Sequence, residues 1–120
     1  AKETTANCKK LDLILALNYG GRDEIVRAIG KIIADYDKGK VRKEMLSQEL
    51  VTQYLDTAAW RDPDLIIRTS GEQRLSNFLL WQASYSEIYV TKTLWPDFSS
   101  QDLLAAILEY QGRKRRLGGV

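Results

Sequence analysis

The chain has 120 residues, 44% of them hydrophobic and 28% charged, with a formal net charge of +2. That composition fits one globular domain or a piece of one, and argues against a general polyanion or nucleic-acid binder. A single cysteine and no histidine exclude, within this chain, an intrachain disulfide, a cysteine-based zinc cluster, a serine–histidine triad and histidine metal sites. No apolar run approaches the roughly 20 residues needed to span a bilayer and the start is not a signal peptide, so a cytosolic protein is the expectation.

Taken in order, residues 1–10 are polar and carry no clear pattern. Leu11 to Asn18, LDLILALN, predicts a strand that stops at Tyr19, Gly20 and Gly21. The glycine pair allows a sharp, close-packed strand-to-helix turn. Asp23 and Glu24 then place negative charge in the first helical turn, where the helix dipole favours it. Ile25, Ala28, Ile29, Ile32, Ile33 and Tyr36 follow at helical spacing until Gly39, which predicts an amphipathic helix packed on a sheet. Lys38 to Lys43 is a charged connector. Ser47 caps a second predicted helix with Leu50, Val51, Tyr54, Leu55 and Ala58 facing inward, ending before Asp62 and Pro63.

Leu65, Ile66 and Ile67 form a short apolar run followed by Arg68, Thr69, Ser70 and Gly71, the pattern of a buried strand ending in a polar loop. Arg68 therefore sits at a strand's C-terminal end, where ligands bind in open α/β sheets. Arg74 follows, then Ser76 and Asn77, before the apolar Phe78, Leu79, Leu80 and Trp81. Two guanidiniums, a hydroxyl and loop amides suit a phosphate, because arginine meets phosphate oxygens with a planar fork. Glu87 stands among apolar neighbours before Ile88, Tyr89 and Val90. A carboxylate there suits Mg²⁺, which typically binds one or two carboxylates together with substrate phosphates. The simpler alternative is that Glu72 and Glu87 are surface ion-pair partners of Arg74 and Arg68.

Leu94 to Phe98 reads as a loop with an aromatic anchor. Ser99 or Ser100 caps a last predicted helix whose apolar face is Leu103, Leu104, Ile107, Leu108 and Tyr110. A basic run, Arg113 to Arg116, and a glycine-containing tail close the chain, a composition usual for a frayed terminus. The order β, α, α, β, β, α indicates α/β layering.

The run DPDLIIRTSGEQRLSNFLLWQASYSEIYVTKTLWPDF, Asp62 to Phe98, resembles the C-terminal signature of the cis-prenyltransferases, the undecaprenyl diphosphate synthase family. ALNYGGRDEI, Ala16 to Ile25, and RRLGG, Arg115 to Gly119, are similar to two further motifs of that family and stand in its order. The resemblance implies a mostly parallel sheet flanked by helices with a hydrophobic tunnel. It implies a Mg²⁺-dependent transferase that condenses isopentenyl diphosphate onto an allylic diphosphate such as farnesyl diphosphate, each new double bond being cis. By motif, Arg68, Arg74 and Ser76 would hold the diphosphate of isopentenyl diphosphate and Glu87 would belong to the magnesium site. It further implies a homodimer with its interface near this signature, a tail reaching toward the partner's active site, and a cytoplasmic enzyme peripheral at the membrane into which its product partitions.

The family's DGNGRWA-type motif, which carries its essential aspartate, is absent from this sequence. Residues 1–120 are therefore expected to be the C-terminal part of a single cis-prenyltransferase domain, without its N-terminal half and inactive alone. A catalytically silent partner subunit and a non-enzymatic anion-binding module are the alternatives. Leu11 to Leu17 is read as sheet core, with tunnel wall as the second reading.

Overall fold

The computed structural model describes residues 2–113. It is an α/β arrangement with helices α1 (Lys2–Thr5), α2 (Gly21–Asp37) and α3 (Gln48–Tyr54), strands β1 (Leu65–Arg68) and β2 (Glu87–Val90), and a last helix α4 (Ser100–Gly112). The strands are parallel, Leu65 opposite Glu87 and Arg68 opposite Val90. Parallel neighbours require a crossover, and residues 69–86 supply it with a 3₁₀ turn at Gln82–Tyr85 rather than an α-helix. α2 packs against α3, and α4 against β2.

Local chemistry accounts for the boundaries. Ser47 Oγ accepts the Leu50 N–H at 3.1 Å and starts α3. The Ser99 backbone N–H donates to Asp102 Oδ2 at 2.8 Å, and the Ser99 hydroxyl accepts the Asp102 N–H at 3.3 Å, a reciprocal cap that starts α4. α2 begins at the glycine pair because the backbone there runs against the crossover. A Cβ on Gly21 would stand 3.0 Å from Leu80 Cγ and 3.2 Å from the Asn77 carbonyl oxygen.

Several sequence expectations are corrected. Leu11 to Asn18 is not a strand: the sheet among the described residues has two strands, and this segment has no ladder partner in it. Its Leu and Ile side chains are open, Leu17 at 84%, so they are not sheet core among the described residues. α2 buries Glu24 and Ala28, while Ile29, Ile33 and Tyr36 of the expected inward face are exposed. α3 stops at Tyr54, and Ala58, expected inside, is exposed in the turn beyond it. α4 buries Ala106, whereas Leu103, Leu104, Ile107 and Leu108 are exposed. In α2 and α4 the apolar residues do recur at helical spacing, but the described residues leave much of those faces uncovered. The RRLGG tail and its expected role lie outside the described residues.

Candidate functional site: an arginine-lined cavity at the strand end

β1 delivers Arg68 to its C-terminal end, and the chain then reverses. Ser70 at φ 67° and Gly71 at φ 69° both adopt the left-handed conformation, open to glycine and uncommon for serine. The turn is pinned across the sheet: Ser70 N–H donates to the Thr93 carbonyl at 3.0 Å, Gly71 N–H to Thr91 at 2.8 Å, and Thr91 N–H to Arg68 at 2.9 Å. The reversal brings Arg74 back beside Arg68. Both line one cavity of about 310 Å³ together with Thr69, Gln73, Phe78 and Trp95. Its lining combines the two cations with aromatic and aliphatic side chains.

Arg68 is half-buried, and its Nε is buried without a hydrogen-bond partner among the described residues. A desolvated guanidinium N–H left unpaired is costly, and an anion satisfies it. Arg74 is 67% exposed and pairs with Glu72, so that part of the ion-pair alternative holds, as a weak surface pair an incoming phosphate can displace. Ser76 is exposed on the same loop at φ 50° and does not line the cavity.

Glu87 does not pair with Arg68. Its Oε2 accepts from Arg113 Nη1 at 2.8 Å, tying α4 to β2, with both side chains 29% exposed. In the parallel register it stands opposite Leu65, three residues along the strand from Arg68, about 10 Å at ~3.3 Å per residue. Among the described residues no group of three or more acidic, histidine or cysteine side chains gathers to hold a metal. Glu87 thus belongs to no such group among the described residues, while its neighbour Ile88 lines the cavity that holds the two arginines.

A second cavity, about 470 Å³, is lined by Ile14 to Leu17, Trp60, Leu79 and Gln82 among others, and Phe78 lines both. Phe78 meets the Tyr19 ring edge-on, centroids 5.7 Å apart. Hydrogen-bonded to three of its lining residues, Tyr19, Asp56 and Gln82, is a group not singled out from the sequence as functional. Glu24, 1% exposed, accepts the Tyr19 hydroxyl, the Asp56 N–H at 2.9 Å and Gln82 Nε2 at 3.1 Å to each oxygen. Burial and then the Glu24 carboxylate raise the Tyr19 phenol well above its ordinary value, so it stays a proton donor. In sequence Glu24 is an ordinary first-turn acid. Nothing local to it signals burial.

A half-buried arginine whose Nε has no hydrogen-bond partner among the described residues thus shares a cavity at the strand end with a second arginine and with Phe78 and Trp95. Residues 1–118 match the family described as "Putative undecaprenyl diphosphate synthase", and the chain belongs to that family. It is 55% identical over 114 residues to the isoprenyl transferase of Chlamydia pneumoniae, covering 95% of this chain and 46% of that protein. To that of Heliobacterium mobile it is 56% identical over 116 residues, 97% of this chain and 45% of the relative. The crystal structure of lavandulyl diphosphate synthase from Lavandula x intermedia in complex with dimethylallyl diphosphate is similar at a TM-score of 0.91. Its identity is 42%, over 98% of this chain and 51% of that one. The chain thus spans about half the length of the relatives it matches.

Proposed function

We propose that this chain is the C-terminal part of a Mg²⁺-dependent cis-prenyltransferase, and that it supplies the isopentenyl diphosphate site of the whole enzyme. The single observation that carries this is the buried Nε of Arg68, without a partner among the described residues, in a cavity shared with Arg74. Family membership supports it. The two guanidiniums take the diphosphate, with Ser76 on the adjoining loop as a further donor, and the apolar lining, Phe78 and Trp95 among it, accepts the isopentenyl carbon skeleton. Held there, the isopentenyl double bond attacks the first carbon of the allylic partner, such as farnesyl diphosphate. A carbon–carbon bond forms, the allylic carbon–oxygen bond breaks, diphosphate departs and a proton leaves the isopentenyl unit.

The donor set fits magnesium only in part. Glu87 offers one carboxylate, the diphosphate would offer further oxygens, and the remaining protein ligand would lie outside this chain. Bound Mg²⁺ would neutralise charge on the departing diphosphate. No described helix is long and apolar enough to cross a membrane. A cytoplasmic homodimer whose product enters the membrane is the setting proposed for the whole protein.

The test is elongation. Full-length protein given farnesyl diphosphate, radiolabelled isopentenyl diphosphate and Mg²⁺ should form cis-polyprenyl diphosphate, and the 120-residue chain alone should form none. No product from the full-length protein overturns the activity, and product from the isolated chain overturns its dependence on a second half.

A further inference from the structure

The reversal after Arg68 is held by a chain of hydrogen bonds that ends on α4. Ser70, at φ 67°, takes a left-handed conformation that costs free energy in a residue other than glycine, and it persists only where its surroundings hold it. Two backbone bonds do so: Ser70 N–H donates to the Thr93 carbonyl at 3.0 Å and Gly71 N–H to the Thr91 carbonyl at 2.8 Å. Residues 91–93 lie beyond the end of β2, so their own shape rests on side chains. Thr93 N–H donates to Thr91 Oγ1 at 3.2 Å, the Thr91 hydroxyl to Thr93 Oγ1 at 3.1 Å, and the Thr93 hydroxyl to Asp102 Oδ1 at 3.2 Å. The carboxylate can only accept, so it sets the direction of the whole chain. Asp102 is itself fixed by its reciprocal cap with Ser99. Two residues beyond Thr93, Trp95 lines the arginine cavity and stacks on Phe98, centroids 6.0 Å apart.

We propose that Thr93 is a positioning residue for the isopentenyl diphosphate site: its hydroxyl ties the segment after β2 to the first turn of α4, and that tie sets the reversal between Arg68 and Arg74 and the place of Trp95. This rests on the function proposed above. Thr93 is half-buried and does not line the cavity, so it acts through the residues it holds. The two arginines of the cradle depend on it unequally. Arg68 belongs to β1 and is carried by the ladder, whereas Arg74 comes three residues after Gly71, is 67% exposed and pairs with Glu72. The turn is what brings Arg74 back. Removing the Thr93 hydroxyl frees residues 91–93 from α4 and leaves the Ser99–Asp102 cap in place, so the tie can be separated from the stability of the helix.

Kinetics of the full-length enzyme test this, using Thr93→Val, Thr93→Ser, Ser99→Ala, Arg74→Ala and the double variant of Thr93→Val with Arg74→Ala. Thr93→Val should raise KM for isopentenyl diphosphate about fivefold, with kcat and the allylic KM changed less than about twofold. Thr93→Ser keeps the hydroxyl and should stay within about twofold of wild type in all three. Ser99→Ala removes the cap, so it should lower the melting temperature and leave both KM values alone. With Arg74→Ala the Thr93→Val loss should overlap and fall below the product of the singles. Should Thr93→Val not fold, Asp102→Ala removes the acceptor instead, and should add the same rise in KM to the loss of stability that Ser99→Ala reports. An unchanged KM in Thr93→Val, equal rises in both KM values, the same rise in Ser99→Ala, or losses that multiply with Arg74→Ala overturn the proposal. Calorimetric titration with inorganic diphosphate gives a second readout, in which Thr93→Val should weaken binding about fivefold and Ser99→Ala should not. If wild type binds diphosphate with this dependence on Thr93 yet elongates nothing, the function reading fails and the tie stands. If wild type elongates and Thr93→Val changes neither KM nor diphosphate binding, the tie fails alone.

Discussion

At the scale of single residues, the cradle separates groups that sequence spacing placed together. Arg68→Ala and Arg74→Ala each remove a charge-assisted contact worth ~1.5–3 kcal/mol, so kcat/KM of the full-length enzyme should fall about 10- to 150-fold. Most of that should appear in KM for isopentenyl diphosphate, with little change for the allylic substrate. Because Arg68 is the more buried and Arg74 already has Glu72 beside it, the Arg68 variant should be the more damaged. Steady-state titration of both substrates decides it, and a rise confined to the allylic KM would reassign the site. Glu87 has two readings that magnesium separates. If it is a ligand, the Glu87→Gln defect shrinks as Mg²⁺ is raised, and this is the expected result. If it serves only to hold Arg113 and α4, the defect appears in thermal stability and ignores magnesium.

Helix α2 meets the rest of the chain through backbone contacts at its start and ion pairs along its length. Gly21→Ala puts a Cβ 3.0 Å from Leu80 Cγ and 3.2 Å from the Asn77 carbonyl, and the overpacking should cost ~1–3 kcal/mol in denaturant unfolding of the full-length protein. A change below ~0.5 kcal/mol would mean the crossover yields freely. Further along, Arg27 donates to both Asp56 oxygens, at 2.9 and 2.6 Å, and those bonds hold the Asp56 carboxyl below its usual range. A carboxylate whose folded pKa is depressed adds stability above its unfolded pKa of ~3.9, which is lost as pH falls through the folded value. Arg27→Ala should therefore flatten the dependence of stability on pH between about pH 5 and pH 2. An unchanged slope would show that this half-exposed pair is screened.

As a whole, the chain is more extended than a self-contained domain of its length. Its radius of gyration is 17.4 Å, against about 14 Å for a compact domain of this size. The reason lies in its uncovered faces: Leu11 to Leu17, then Val26, Ile29 and Ile33 on α2, then Leu103, Leu104, Ile107 and Leu108 on α4. Apolar surface of that extent calls for a partner, and a parallel sheet is normally covered on both sides. The 120-residue chain expressed alone should consequently associate or aggregate, measured by light scattering coupled to size exclusion. A soluble monomer with a cooperative thermal transition would place the domain boundary elsewhere.

What the sequence determined by itself is what depends on near neighbours. The caps at Ser47 and Ser99 join residues three apart, β1 is announced by its apolar run before Arg68, and the glycine pair marks the tight entry to α2. The family was legible because its motifs are contiguous. Tertiary structure alone decided which face of each helix is covered, since periodicity names a face and not its partner. It also decided that Leu11 to Asn18, strand-like in composition, has no ladder among the described residues, because a strand requires a neighbouring backbone. Glu87 went to Arg113, 26 residues away, and Glu24 gathered donors from Asp56 and Gln82, 32 and 58 residues away. A carboxylate's burial and its role follow from donors brought together by the fold, and no local pattern encodes them.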